Sequence, residues 1–277
     1  MSSRYFSWLK MPLGALALLV GCAAVMGSAQ ATVILEGSDA IGLHSRGGDA
    51  GAVAYRNQVW SAIGGSDARP IAFIGDSLSG VGSGTHAVSP FASVAAAGPL
   101  SNYVALYFQA GGGCCTENDG LITAAGAASA VSTYLGAGGT LMIGNYTGGA
   151  AWDFAVGTTG GGNAHVQGIG GGQAGGSGCS DGERVTATGL ANGFTQPPTI
   201  GCWTHQAYDQ AGFFAPLGFS LSFFDAGLAY SAGFSSLLSN GRTVTGGGGG
   251  TVPEPGTLAL VGLAIVAASF TRRRKAA

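Results

Sequence analysis

The chain has 277 residues, of which 53 are glycine, and only 9% of its side chains are charged. From Thr32 to Val252 there are 12 acidic and 5 basic residues and no lysine, a net charge of about −7. With no basic patch to displace counterions, nucleic-acid binding is excluded, and glycine without a three-residue period excludes a collagen-like rod.

The N-terminus reads as an export signal over residues 1–31. Arg4 and Lys10 form a basic segment, Met11 to Val20 an apolar one, and Ala29-Gln30-Ala31 a small-residue cleavage site. A second reading uses Leu19-Val20-Gly21-Cys22 as a lipobox with Cys22 lipidated. Cleavage after Ala31 is favoured, because the C-terminus carries its own surface signal.

Residues 32–240 read as one exported domain. Thr32 to Glu36, Pro70 to Ile74, Tyr103 to Phe108 and Thr140 to Ile143 are short apolar runs without polar alternation, and each predicts a strand. Between them, Ala50 to Ile63 has apolar residues at helical spacing and stops at Gly64-Gly65. Ser89 to Ala97 predicts a short helix. Leu121 to Leu135 predicts a single helix, capped by Asp119 and stopped by Gly136. Strands of this kind separated by helices imply an α/β fold: a flavodoxin-like, mostly parallel sheet with helices on both faces.

The character then changes. Residues 157–178 hold 11 glycines in 22 positions and predict a long loop or insertion without regular structure. Phe194 to Trp203 predicts an irregular segment held by a disulfide, and the aromatic-rich Phe213 to Tyr230 predicts further strands. Residues 241–252, with five consecutive glycines, read as a flexible linker.

The tail, residues 253–277, has three parts. Pro253, Glu254 and Pro255 form a stiff step, because each proline fixes φ and lacks an N–H. Residues 257–270 form an apolar span, read as a single transmembrane-type helix. As a helix it covers roughly 21 Å, short of a ~30 Å bilayer core. Arg272, Arg273, Arg274 and Lys275 form a basic stop that stays on the cytoplasmic side. These three parts together resemble the PEP-CTERM sorting signal of Gram-negative bacteria. The resemblance implies transient insertion in the inner membrane and processing by an exosortase after signal peptidase has acted. It further implies release to the cell surface or matrix, in a setting of exopolysaccharide or biofilm.

Four cysteines remain after signal removal: Cys114, Cys115, Cys179 and Cys202. An even number in an exported chain favours disulfides. Neighbouring cysteines bridge only under strain, so Cys114 and Cys115 are each expected to reach one of Cys179 and Cys202.

Ligands of open parallel sheets sit beyond the carboxyl ends of the strands. The segments leaving those ends nominate a crevice formed by Asp76, Ser77, Asn118, Asn145 and Tyr146. Ile74-Gly75-Asp76-Ser77-Leu78-Ser79 resembles the first block of GDSL (SGNH) esterases, which implies Ser77 as a nucleophile. The family's Asp-x-x-His spacing does not occur in this chain, and only His205 with Asp209 stands in for it. The stretch from Tyr103 to Tyr146 resembles class I glutamine-amidotransferase-like domains. That implies a cysteine nucleophile at Cys114 or Cys115, although the glycine after the cysteine of the nucleophile elbow is missing.

His44, His86, His165 and His205 are isolated in sequence, and neither a metal nor a cofactor is expected. Trp152, Trp203 and Tyr208 are candidate sugar-stacking rings. The expectation is a non-catalytic surface or matrix component, with a Ser77 hydrolase or a degenerate amidotransferase-like enzyme as the alternative.

Overall fold

The structure, a computed structural model, describes residues 31–75, 84, 86–109, 119–168, 179, 182–198 and 201–241. Four strands appear where the apolar runs predict them: β1 (Thr32–Glu36), β2 (Ile71–Ile74), β4 (Ala105–Phe108) and β5 (Thr140–Gly144). Together with β3 (Val88–Phe91) they form a parallel half-sheet in the order β3-β2-β4-β5-β1. The result is a mixed α/β fold.

Both faces of this half are covered, which is why its strands carry no polar alternation. On one face Ile34, Phe73, Ala105 and Met142 pack with Val59 and Trp60. Those two residues belong to α1 (Ala50–Gly64), whose first turn is capped by the Asp49 carboxylate accepting from Ala52 N at 2.8 Å. On the other face Leu35, Ile74, Leu106, Phe108 and Ile143 pack with Val94, Val131 and Trp152. Each such buried side chain contributes roughly 1.5–3 kcal/mol.

Two predicted helices are corrected. Ser89 to Ala97 is not a helix throughout: Val88–Phe91 pairs with β2, and only Val94–Ala97 (α2) turns helical. Pro90 is tolerated because β3 ends the sheet, so its missing N–H breaks no ladder. The single helix over 121–135 is two, α3 (Asp119–Thr123) and α4 (Ala127–Gly136). Gly126 lies between them at φ +80°, a left-handed conformation that no continuous helix can contain.

The central sheet is mostly parallel, and it continues past β1 as an antiparallel extension. β10 (Phe234–Ser239) pairs antiparallel with β1, and β8 (Gln206–Asp209) and β9 (Leu221–Asp225) pair antiparallel with β10. β6 (Val166–Gly168) joins β8, and β7 (Arg184–Val185) joins β9. β6 lies inside the glycine-rich stretch that predicted no regular element. Phe213 to Tyr230 supplies one strand, β9, because a π-helical turn (Gln210–Phe214) and a 3-10 turn (Ala215–Leu217) take up its start. Two short helices complete the set, α5 (Asp153–Val156) after β5 and α6 (Ala187–Ala191) after β7.

The disulfide expectation is corrected as well. Cys179 bonds to Cys202, with Cα atoms 4.7 Å apart and a sequence separation of 23. Within the segment they enclose, β7 and α6 pack against β9. Cys114 and Cys115 therefore do not reach these partners, and both lie outside the described residues. The predicted transmembrane-type helix also lies outside them. Among the described residues, no helix is long and apolar enough to cross a membrane.

Closing a loop of this length restricts the unfolded chain. Converting Cys179 and Cys202 together to alanine is expected to lower unfolding stability by about 3 kcal/mol. Urea denaturation of the oxidised wild type against the double variant measures this, and identical midpoints would contradict it.

Candidate functional site

Strands β1, β2, β4 and β5 all end on one edge of the sheet. β8 runs in the same direction, because it is antiparallel to β10 and β10 is antiparallel to β1. Glu36, Gly75, Gln109, Asn145 and Asp209 therefore share this carboxyl edge, where ligands of open α/β sheets bind. Gly75 packs directly on the carbonyl of Gln109, so the exits of β2 and β4 touch. Of the nominated crevice, Asn145 and Tyr146 stand at the end of β5, and Tyr146 N donates to Glu36 O at 3.1 Å. Asp76, Ser77 and Asn118 lie outside the described residues.

Asn145 is buried and left-handed, at φ +51°. Its Oδ1 meets no hydrogen-bond partner among the described residues. Asparagine tolerates this backbone region better than most residues, and such strain concentrates at functional sites.

The centre of the edge is a polar network that the sequence reading missed. Glu36 closes β1 on the same face as Ile34 and is fully buried. The Tyr107 hydroxyl lies 2.8 Å from Glu36 Oε2 and also meets Gln109 Oε1. A hydroxyl has one hydrogen, and two acceptor oxygens face it. The Tyr107 hydroxyl donates to Glu36 Oε2, and turning the Gln109 amide over presents its Nε2 as donor to the Tyr107 oxygen. Burial pushes the Glu36 carboxyl up to about 8, and the Tyr107 hydrogen bond offsets only part of the shift. Burial also raises the Tyr107 hydroxyl well above its usual range.

Two glycines make room for this network. A Cβ on Gly144 would lie 2.6 Å from the Tyr107 hydroxyl, and one on Gly42 would collide with the Gln109 side chain. The signal was present in sequence, since an acidic residue ends an otherwise apolar strand in phase with its core face.

Two of the four histidines converge rather than standing alone. Asp39 is fully buried, with His205 Nε2 3.1 Å from its Oδ2 and the half-buried His44 Nε2 3.4 Å from its Oδ1. His205 therefore pairs with Asp39, and Asp209 lies instead 3.9 Å from His165. The pair proposed to complete an esterase set, His205 with Asp209, is not brought together. His86 Nε2 contacts Asp67 O at 2.6 Å. Among the described residues, no three His, Cys, Asp or Glu side chains form a group able to hold a metal ion.

Trp152, Trp203 and Tyr208 are fully buried, so none offers a ring face to a sugar. They are core: Trp152 packs on Phe108 at 5.1 Å and Trp203 on Tyr55 at 5.9 Å between centroids.

A second buried acid, Glu183, is likewise raised to about 8 by burial. Both glutamates hold their protons more tightly folded than unfolded, where they titrate near 4.5. Their contribution is therefore complete below about 4.5 and is lost as pH rises towards 8. Glu36→Gln keeps the hydrogen bonds and removes the ionisation. Melting temperatures across this window should fall in the wild type relative to Glu36→Gln as pH rises. Parallel curves would show that Glu36 titrates normally.

Residues 251–275 match the family described as the PEP-CTERM protein-sorting motif. No curated protein and no solved structure matches the chain significantly. The motif points to an exported protein that is processed by an exosortase and reaches the cell surface or the extracellular space by way of the membrane.

Proposed function

We propose that residues 32–252 are a non-catalytic component of the cell surface or extracellular matrix of a Gram-negative bacterium, associated with exopolysaccharide. The observation that carries this is the sorting motif at 251–275, placed after a fold that closes before it. The last described strand, β10, ends at Ser239 and is hydrogen-bonded to β1, β8 and β9. Removing the tail near Pro253–Pro255 therefore costs none of the described sheet. In this reading signal peptidase and an exosortase are partners only during export, and the inner membrane holds the precursor transiently.

The same proposal takes the fold as flavodoxin-like. Counted from β2, the parallel half has the order 2-1-3-4, with β1 filling the fifth place. The switch point then falls between β2 and β4, where Gly75 meets Gln109. This position also supports the second reading, a hydrolase acting through Ser77, because Ser77 follows Gly75 by two residues. Unchanged ester hydrolysis by a Ser77→Ala variant would remove that reading.

Intact mass of the protein recovered from culture medium tests delivery. The expected species starts at Thr32, ends between Pro253 and Pro255, and loses two hydrogens to the Cys179–Cys202 bond. A secreted species that keeps Arg272 to Lys275 would contradict the sorting step, and lipid on Cys22 would contradict cleavage after Ala31.

A further inference from the structure

Resting on the exopolysaccharide reading, we propose that the ligand is a neutral glycan and that it docks on the stacked rings of His165 and Phe213. The buried tryptophans cannot serve, so a different aromatic surface is needed. The His165 and Phe213 rings lie face to face, with centroids 3.7 Å apart and planes 4° apart. The His165 side chain is 41% exposed, which leaves its ring accessible. Phe213 is braced from behind by the fully buried Phe214, at 5.0 Å and 89°. The platform is therefore rigid, and little side-chain entropy remains to be lost on binding.

Its position is that of a ligand site. His165 immediately precedes β6, and Phe213 lies in the turn that follows β8. β6 is antiparallel to β8, so both residues stand at the carboxyl edge of the sheet.

The chemistry beside the rings selects the ligand. The Asp209 carboxylate lies 3.9 Å from His165 Nδ1, is itself partly exposed, and is held by Gly212 N at 2.9 Å. A fixed carboxylate beside a flat ring suits a pyranose: its C–H face stacks on the ring, and adjacent hydroxyls donate to the oxygens. Charge excludes the acidic alternative. Between Arg69 and Arg242 the only arginine or lysine is Arg184, and the delivered stretch is about −7. The platform segments hold no arginine or lysine to pair with a uronate, the one basic ring there, His165, already faces Asp209, and the summed field would repel a polyanion.

The test is affinity electrophoresis of the delivered chain, residues 32–252, through gels containing neutral glucan, galactan or mannan, with alginate as the acidic counterpart. Retardation by a neutral polymer and not by alginate is expected. His165→Ala and Asp209→Asn should each weaken it about tenfold or more, whereas Leu190→Ser, on exposed α6, should not. Melting curves matching the wild type confirm that each variant is folded. Retardation that survives both platform variants overturns this site and leaves the surface reading standing. Retardation by alginate alone overturns the neutral-glycan assignment. Retardation by none of the polymers overturns both this inference and the exopolysaccharide reading.

Discussion

Strand β1 holds the molecule together. It is paired parallel to β5 on one side and antiparallel to β10 on the other, so among the described strands it is the one that joins the two halves of the sheet. Its neighbours arrive from positions more than a hundred residues away in sequence. The strand also begins at Thr32, the first residue after the expected cleavage site, and Thr32 N donates to Gly139 O. Because β1 pairs with β10, the sheet is complete only once the chain as far as Ser239 is in place.

The same strand brings an acid into the core. Glu36 follows Ile34 in phase, so the pleat that buries one buries the other. An apolar strand end would be more stable there, since burying a carboxyl is costly. The fold accommodates it by supplying Tyr107 and leaving side-chain space empty at Gly42 and Gly144. Asp39, His205 and His44 form a second polar cluster a few residues along the same chain exit. Polar groups are therefore concentrated at the carboxyl edge, while the two faces of the sheet are packed with hydrocarbon and aromatic rings.

That edge also orders the candidate residues. Asn145 and Tyr146 were legible because they follow an apolar strand, and any residue in that place reaches the edge. Glu36 was legible in principle, from its parity within the strand. His205 with Asp39, and His165 with Phe213, were not. Each pair spans well over forty residues, and no local pattern brings such partners together. Trp152 and Trp203 failed in the opposite sense. Aromatic residues in glycine-rich segments look exposed, yet both are sealed inside by strands that their own segments did not announce.

The sequence by itself determined what local chemistry controls. Continuous apolar runs specified the buried parallel strands, since side chains on both faces of the strand had hydrophobic partners to meet. Gly64-Gly65 stopped the long helix, and the Pro-Glu-Pro step, apolar span and basic stop pointed to the route of export without any fold at all. Only the tertiary structure decided the antiparallel half, where FSSLLS buries three serines because its neighbours on both sides are strands. It decided the disulfide, because which cysteines come within bonding distance is set by the folded chain and not by their order in sequence. It also decided which acids are buried and which rings stay exposed, because burial is a property of the assembled layers and not of any one residue.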